Sequence, residues 1–483
     1  MTPLWTDIDS AKATRGRATS PFHAYGVSID TRNLNKGDLF IALRGERNDG
    51  HDHLAAAYAA GAAAAIVDTV PEDSPAGLPC LVVKDTLKAM SDLATAARAR
   101  LTGTVIAITG SVGKTGAKDG LAHVLAPFGT VHKTIGNLNN HFGCPLTLAR
   151  MPAGTSFAII EMGMNHAGEI EPLSLLAKPD IALITTVDAV HLEFFDSVEG
   201  IADAKSEIFA GLRKDGVAVL NRDNPHYQRM VQNAEAAGVK TISTFGEDED
   251  ATFRIASYKS DGSTSDITAV CNGMEIGYKL GAAGRHLALN SVGILAVAAA
   301  AGVDIVKAAE QFASFTANPG RGGRQNIRFR GGRFILIDES YNASPASMKA
   351  ALEVLGDVAV DGSGRRIAVL GDMLELGEDG ADLHKALASV IKTSGIDLVF
   401  TAGPLMSGLF DALPKAKRGG HAASSGEILP LVTSTVRAGD VVTVKGSLGS
   451  RMKPVVHALQ ALDQSTLEGD FERSSSVANG GCA

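Results

Sequence analysis

A glycine-rich loop containing a lysine and a hydroxyl residue joins an apolar run at residues 105–108 to a helical pattern that continues to residue 125. In such an arrangement the loop amides can surround phosphate oxygens, a lysine can reach the terminal phosphates, and a hydroxyl can bind magnesium. The pattern predicts nucleotide binding, although Ile108 stands where the strict motif has its first glycine. The residues concerned are Thr109, Gly110, Ser111, Val112, Gly113, Lys114 and Thr115.

This loop could instead be an ordinary strand-to-helix turn with an incidental lysine. The order strand, loop, helix argues against that alternative, because it is the context that phosphate binding requires. A dinucleotide-binding turn is disfavoured because the loop has no Gly-x-Gly-x-x-Gly pattern.

Two metal-ligating residue types follow apolar runs further along the chain. Glu161 comes directly after residues 157–160, and His191 comes shortly after residues 181–184. The carboxyl ends of parallel strands meet at one edge of a sheet, where ligands bind in open α/β folds. We therefore predict that both side chains can hold magnesium beside the phosphates. From the pattern alone, Lys205 is an exposed helix residue, and either metal candidate could be an ordinary surface side chain.

Strand-like apolar runs alternate with helical patterns along most of the chain, which indicates an α/β protein with mainly parallel sheets. Polar, turn-rich junctions near residues 101–103 and 318–323 divide the chain into three parts. The central part should be a phosphate-loop domain with a mainly parallel sheet, and the third part should be Rossmann-like. We predict domains at residues 1–102, 103–319 and 320–460, with a mobile tail at 461–483.

Composition excludes several classes of protein. The 483 residues are 45% hydrophobic and 20% charged, a globular balance, and the net charge of -8 without a basic run disfavours a nucleic-acid partner. The four cysteines show no metal or disulfide spacing, and the N-terminus lacks the apolar segment of a secretion signal. The apolar run at residues 287–303 is interrupted by polar residues and is typical of a buried helix. We predict a cytoplasmic monomer without a membrane span.

The order of the central motifs resembles that of the Mur ligases, a family of ATP-dependent amide ligases that act in cell-wall synthesis. The resemblance extends from about Gly26 to Lys453. In the central region it is carried by residues 109–115, 136–140, 161–166, 191–193 and 205–207.

The resemblance implies roles for individual residues. Lys114, His191 and Lys205 would be catalytic, with Lys205 modified to a carbamate. Magnesium would be held by Thr115, Glu161, His191 and the Lys205 carbamate. ATP would be bound by residues 109–115 and by His286, Asn290, Arg321, Arg324 and Asp338, although either of the two arginines could provide the one phosphate contact that the family requires.

The first region resembles the family's uridine-nucleotide-binding domain in residues 26–32, 37–43 and 49–51. An α/β domain that binds the UDP-linked substrate is thereby implied. Its contacts, together with those of the central asparagine-rich loop, would be Ser28, Asp30, Thr31, Arg32, Asp49, His51, Asn137, Asn139 and Asn140.

The third region indicates which reaction to expect. Residues 338–348 and 370–377 resemble the family members that join D-alanyl-D-alanine to UDP-N-acetylmuramoyl-tripeptide, with Tyr341 and Asn342 serving the acceptor or domain closure. The diaminopimelate-adding members carry Asp-Asn-Pro-Arg in this region, whereas the Asp-Asn-Pro at residues 223–225 is central and precedes His226. The implied reaction uses ATP and Mg²⁺ to activate the tripeptide carboxylate as an acyl phosphate, which the dipeptide amine then attacks.

Three alternatives remain at this point. Another Mur-type ligase or a folate polyglutamating ligase would share the central and third regions, but the folate enzyme would lack the uridine domain. A nucleotide-dependent switch would explain the phosphate loop without explaining the residues that follow it.

Overall fold

Three larger β-sheets organise the computed structural model, which describes residues 2–45, 48–190 and 192–464. Each sheet contains parallel strands connected by helices, so the predicted α/β class is confirmed. Most of the predicted tail, residues 465–483, lies outside the described residues.

The first sheet has the strand order β2-β7-β6-β5-β4, and a small antiparallel pair, β1 and β3, lies beside it. Strands β4 to β7 are parallel, and β2 is antiparallel to β7. The elements of this region are β1 (Trp5–Thr6), α1 (Asp7–Thr14), β2 (Arg17–Ala18), β3 (His23–Ala24), β4 (Gly26–Ser28), β5 (Asp38–Ile41), α2 (Leu54–Ala59), β6 (Ala64–Val67), β7 (Cys80–Val82) and α3 (Thr86–Arg100).

The central sheet has the order β16-β15-β14-β13-β12-β11-β8-β10-β9. Strands β8 to β14 are parallel to one another, and β14 pairs antiparallel with β15 on its other side. The elements are β8 (Thr104–Thr109), α4 (Lys114–Leu125), β9 (Val131–Lys133), α5 (Gly143–Ala149), β10 (Phe157–Glu161), α6 (Ile170–Ala177), β11 (Ile181–Ile184), α7 (Val198–Ser206), β12 (Val217–Asn221), α8 (Tyr227–Ala236), β13 (Thr241–Gly246), β14 (Phe253–Ser260), β15 (Ser265–Cys271), β16 (Met274–Leu280), α9 (Arg285–Ala300) and α10 (Ile305–Glu310).

Strands β8, β10 and β11 are buried on both faces, which explains their nearly continuous apolar sequences. Ile106 of β8 is opposite Ile159 of β10 on one side and Ile181 of β11 on the other. This register brings the carboxyl ends of the three strands to one edge of the sheet. The phosphate loop and Glu161 therefore start from neighbouring positions.

The antiparallel extension formed by β14, β15 and β16 was not among the predicted elements. In β15 and β16 every second residue is buried, as expected when one sheet face packs on the core and the other meets solvent. Helix α9 packs against the buried face and includes most of the apolar run at residues 287–303, which is the buried helix that was predicted.

The third sheet has the order β17-β18-β22-β19-β20-β21, in which β17 and β18 form an antiparallel pair and the other neighbours are parallel. Strand β22 is last in sequence but lies between β18 and β19. The elements are β17 (Gly323–Phe329), β18 (Gly332–Glu339), α11 (Pro345–Asp357), β19 (Arg366–Gly371), α12 (Gly380–Thr393), β20 (Leu398–Ala402), α13 (Met406–Ala412), β21 (Arg418–Ala422), α14 (Ser425–Thr435), β22 (Val441–Lys445) and α15 (Lys453–Gln460).

One hydrophobic core continues from the first sheet into the central sheet. It joins apolar residues of β5, β6 and α3 to those of α5, α6 and α7. The third region has separate cores on the two faces of its own sheet. The first two regions are thus packed together by apolar contact, while the third folds around its own sheet.

Among the helices of the described chain, none combines the length and the apolarity that a membrane crossing requires.

Trp5 tests the junction of the first two regions. The side chain is 2% exposed, its indole N–H donates to the carbonyl of Ala149 at 2.8 Å, and Arg100 lies 4.3 Å from the ring centroid. We expect Trp5→Ala to lower the free energy of unfolding by about 3–5 kcal/mol, because a large buried side chain is lost. Urea denaturation followed by circular dichroism measures the change.

The matched control is Trp5→Phe, which keeps an aromatic ring but loses the hydrogen bond to Ala149 and should cost less than the alanine variant. Wild-type stability in Trp5→Ala would contradict the role of this side chain at the junction.

Candidate active site

The phosphate loop, residues 110–113, connects β8 to the first turn of α4. Gly110 and Gly113 have φ values of 144° and 90°, a region that favours glycine. A Cβ atom on Gly110 would lie 2.0 Å from the Thr185 hydroxyl, and one on Gly113 would lie 2.8 Å from the Asn290 amide nitrogen. Both glycines are therefore required by backbone conformation and by close packing. No side chain caps the N-terminus of α4, so its first amides remain available to an anion.

Hydrogen bonds tie the loop to the segment that follows β11. The amide of Ser111 donates to the Thr186 carbonyl at 2.8 Å, and the Ser111 hydroxyl donates to the Asp188 carbonyl at 3.0 Å. The Thr185 hydroxyl donates to the Val112 carbonyl at 2.6 Å. These contacts hold the loop in a fixed shape before any ligand binds.

Lys114 is the first residue of α4, and its ammonium turns back to donate to the Gly110 carbonyl at 2.5 Å. Burial lowers the pKa of Lys114, and Glu161 partly opposes that shift while Arg321 adds to it. Glu161 and Arg321 therefore both lie close enough to Lys114 to influence its protonation.

Glu161 ends β10 and is 2% exposed. Its carboxylate accepts hydrogen bonds from the Thr115 hydroxyl at 3.1 Å and from the Asn139 amide at 2.8 Å. Burial raises the pKa of this carboxyl, but the ammonium groups of Lys118 and Lys114 together with the hydrogen bond from Asn139 outweigh burial and hold the pKa below its ordinary value. Glu161 is thus a buried anion beside Thr115, as oxygen ligation of magnesium would require.

Lys118 is a residue of this site that the sequence analysis missed. Its ammonium lies 3.1 Å from Glu161 Oε2, and both side chains are 2% exposed. Lys118 is one helical turn after Lys114, so the spacing of the two lysines could have placed them on the same helix face.

Lys205 lies near the end of α7 and is 2% exposed, which corrects the interpretation as an exposed helix residue. Burial and the nearby charge of Lys114 hold its pKa well below the ordinary value. Within the described chain, its ammonium makes no hydrogen bond and no ion pair. An unpaired buried lysine is costly unless its amine is neutral or modified.

His191, the other expected magnesium ligand, lies outside the described residues. Its role stays a prediction.

The two arginines that the sequence could not separate lie in different surroundings. The guanidinium of Arg321 stacks 4.2 Å from the Tyr341 ring centroid and influences the pKa of Lys114. Arg324, by contrast, donates to the Ser263 hydroxyl at 3.3 Å, in the turn between β14 and β15. Arg321 is therefore the better placed of the two to reach a phosphate.

Asp338 lies near the end of β18, and Asn342 lies in the loop between β18 and α11. Asp338 is buried, and its carboxylate accepts from the Ser340 hydroxyl at 2.6 Å and from the Gly320 amide at 2.9 Å. The carbonyl of Asn342 accepts from the Lys445 ammonium at 2.9 Å. Asp338 thus joins the end of β18 to the linker that carries Arg321.

His286 and Asn290 both lie in the first turns of α9, but they face different neighbours. Asn290 packs against Gly113 of the phosphate loop. His286 borders a cavity of about 260 Å³ between the central and third regions, where burial lowers the pKa of its imidazole. The cavity is also lined by Tyr258, Arg285, Ala350, Glu353, Val354 and Asp357.

The expected uridine-side residues gather at the carboxyl edge of the first sheet. Ser28 ends β4, and its hydroxyl bonds to the backbone of Asp30, whose carboxylate caps the short helix Thr31–Asn33 and pairs with Arg32. The backbone before Ser28 meets the central region, because Arg150 donates to the carbonyl of Val27 at 2.6 Å.

Asp49 and His51 follow β5 at the same edge. The imidazole of His51 lies 2.6 Å from an Asp49 oxygen and 3.3 Å from an Asp68 oxygen, and Arg44 bonds to both aspartates. The partners Arg44 and Asp68 were missed by the sequence analysis, and they show that His51 is already held by carboxylates within the protein.

The asparagine loop, residues 134–142, connects β9 to α5 and contains the remaining expected contacts of the UDP-linked substrate. Asn139 turns toward Glu161, while the side chain of Asn140 accepts at 3.0 Å from the amide of Gly143, the first residue of α5. The carbonyl of Asn137 accepts from the amide of Asn139 at 2.8 Å. The loop thus brings expected substrate contacts beside the expected metal ligand.

Comparison with family models covers the three regions in the same order. The Mur ligase family catalytic domain matches residues 23–98, the Mur ligase middle domain matches residues 108–301, and the Mur ligase glutamate ligase domain matches residues 323–448. A curated relative, the UDP-N-acetylmuramoyl-tripeptide–D-alanyl-D-alanine ligase of Bacillus subtilis, is 36% identical over 93% of this chain and 97% of its own length. The chain belongs to the Mur ligase family.

Solved structures of Mur ligases have the same overall fold. MurF from Acinetobacter baumannii superposes with a TM-score of 0.82 at 28% identity, over 95% of this chain and 99% of that one. The MurF ligase of Thermotoga maritima, solved in complex with ADP, superposes with a TM-score of 0.75 at 26% identity, over 91% of this chain and 98% of that one. The family resemblance inferred from the motifs is therefore confirmed.

The phosphate loop of this Mur ligase can be tested at Gly113. We expect Gly113→Ala to weaken ADP binding by about tenfold or more, because the left-handed backbone and the contact with Asn290 both force the loop amides to move. Titration calorimetry with ADP and Mg²⁺ measures the dissociation constant.

Gly116→Ala is the matched control, since a Cβ atom there meets nothing within 4 Å. It should bind ADP as the wild type does. Equal affinities for all three proteins would show that residues 110–113 do not form the nucleotide site.

Proposed function

We propose that this Mur ligase joins D-alanyl-D-alanine to the terminal carboxylate of UDP-N-acetylmuramoyl-tripeptide and converts ATP to ADP and phosphate. The observation that carries the proposal is the meeting of the phosphate loop, the Glu161 carboxylate and the asparagine loop at one edge of the central sheet. The name of the Bacillus relative supports the choice of substrates.

The three regions would divide the reaction between them. We assign the UDP-linked substrate to the first sheet and the asparagine loop, ATP to the phosphate loop and α9, and the dipeptide to the loops near Tyr341 and Asn342. We assign the adenine to the cavity beside His286, because Asn290 of the same helix packs against Gly113 of the phosphate loop. The Thermotoga relative was solved in complex with ADP, which supports ATP as the nucleotide.

The chemistry consists of two transfers. A carboxylate oxygen of the tripeptide attacks the γ-phosphorus of ATP, the bond to the β,γ-bridging oxygen breaks, and ADP leaves. The dipeptide amine then attacks the acyl carbon, phosphate leaves, and the amine loses a proton. Positioning and charge neutralisation supply most of the catalysis in such transfers.

The residues of this site suit a magnesium ion. Thr115 and Glu161 are oxygen donors beside the phosphate loop, and their side chains already lie within 3.1 Å of each other. When bound there, magnesium neutralises charge on the phosphates and orients their oxygens. Lys114 and Arg321 add positive charge from the central domain and from the linker to the third domain.

Lys205 suits a carbamate. Its neutral amine can attack the carbon of carbon dioxide, and loss of one proton leaves an anionic carbamate in place of a cation. That anion would add oxygen donors to the site of Glu161 and would remove the cost of burying a lysine that has no partner among the described residues.

A product assay tests the reaction itself. With UDP-N-acetylmuramoyl-tripeptide, ATP, Mg²⁺ and D-alanyl-D-alanine, mass spectrometry should detect the UDP-linked pentapeptide, and ADP release should require both peptide substrates. Single amino acids, glutamate among them, serve as control acceptors. Ligation of one of these in preference to the dipeptide, or ADP release without an acceptor, would overturn the proposal.

Lys205→Ala should fold but lose about a hundredfold or more in kcat, the scale expected for losing a charge-stabilising group. Formate or acetate that enters the vacated space should restore part of the rate, and Lys205→Arg should not, because a guanidinium keeps its charge and forms no carbamate. Steady-state kinetics with Lys214→Ala as an exposed control measures the effect. A fully active Lys205→Ala enzyme would rule out the carbamate role.

A further inference from the structure

Lys118 is the most deeply buried lysine whose function the proposed chemistry leaves open. Its side chain is 2% exposed, and it lies on the helix that begins at the phosphate loop. Its ammonium has two partners, Glu161 Oε2 at 3.1 Å and the Gly136 carbonyl at 3.0 Å. The side chain thereby connects α4, the end of β10 and the asparagine loop.

A buried ion pair of this kind is weak evidence for stability as such. Removing two charges from water is costly, and apolar residues of similar volume often stabilise a protein equally well or better. A buried cation that donates hydrogen bonds to two acceptors instead fixes those acceptors in position relative to each other. Lys118 therefore contributes to fixing the positions of Glu161 and Gly136.

The asparagine loop needs such an anchor. Gly136 has a φ of 57°, and Ile135 beside it is 61% exposed, so this end of the loop has little apolar packing of its own. Asn139 reaches the other Glu161 oxygen, and the carbonyl of Asn139 accepts from the Gly163 amide at 2.8 Å. The loop is thus fixed to Glu161 twice, directly through Asn139 and through Lys118 by way of Gly136.

We propose that Lys118 is a positioning residue that fixes the asparagine loop against Glu161, so that the peptide end of the UDP-linked substrate is presented to the transferring phosphate. The kinetic part of this inference rests on the proposed function. Misplacement of reacting groups by about 1 Å can cost about a hundredfold in rate, so an anchor at this point affects the reaction without touching substrate.

Hydrogen exchange measures the anchor independently of catalysis. In the ligand-free full-length chain, Lys118→Met should speed exchange of the amides of Leu138, Asn139 and Gly163 by about tenfold, equivalent to about 1.4 kcal/mol of lost local stability. The matched control is Lys133→Met. This change removes a half-exposed lysine of β9 that pairs with Asp119 of α4, the helix that also carries Lys118. It should leave these amides unchanged.

Lys118→Arg provides a second test in case Lys118→Met does not fold. It keeps a cation for Glu161 but presents a planar donor group of different reach, so exchange of the same amides should still rise, by less than in a folded Lys118→Met. Wild-type exchange in every folded Lys118 variant would overturn the inference.

Kinetics separates positioning from general damage. A folded Lys118 variant should raise the KM for UDP-N-acetylmuramoyl-tripeptide by about tenfold while changing the KM for ATP by less than about twofold. Equal increases in both constants would overturn the positioning role. If the wild-type chain lacked this ligase activity, the proposed function would fail, and hydrogen exchange would still decide whether Lys118 anchors the loop.

Discussion

Parallel pairing of β8 with β10 and β11 is the constraint on which the active site depends. Ile106 is level with Ile159 on one side and Ile181 on the other, so the three chains leave the sheet side by side. Strand β8 leads into the phosphate loop, and β10 ends at Glu161. The segment after β11 supplies the backbone carbonyl that accepts from the Ser111 amide. A shift of one residue in either pairing would turn a different set of side chains toward the nucleotide.

The charges gathered at this edge are predominantly positive. Lys114 and Lys118 flank the buried carboxylate of Glu161, and Arg321 approaches from the linker to the third domain. Such an arrangement is costly in an empty site, because buried cations repel one another and lose hydration. It becomes favourable when a polyphosphate enters, since each cation then has a nearby anion. Part of the free energy of nucleotide binding can therefore come from relief of the electrostatic repulsion between these cations.

Sequence patterns located the groups that follow strands and missed those that depend on tertiary burial. The phosphate loop and Glu161 were predictable, because apolar runs mark the strands and parallel sheets bring strand ends together. Lys205 was not, because a lysine in an amphipathic helix gives no sign of which face is covered; only the family resemblance selected it. Lys118 had a spacing that could have revealed it, and Arg321 could be separated from Arg324 only when their neighbours Tyr341 and Ser263 were known.

The edge of the central sheet shows the same limit in the fold. Residues 253–280 alternate in burial, but the alternation is interrupted in β14 and its strands contain several polar residues, so their pairing depends on α9 covering one face. In the first sheet, Asp49 and His51 were expected to bind substrate, yet the structure pairs Asp49 with Arg44 and pairs His51 with Asp68, which lies 17 residues further along the chain. Contacts of this kind arise from folding and leave no local pattern.

The continuous core between the first and central sheets determines which parts of the enzyme unfold together. Apolar side chains of α3 interlock with those of α5 and α6, so loss of structure in one sheet removes packing from the other. The two regions should therefore melt as a single foldon, whereas the third, with its own cores, forms a second foldon that can open alone. Protease cleavage that begins in the third region under mildly destabilising conditions would then leave the first and central sheets folded.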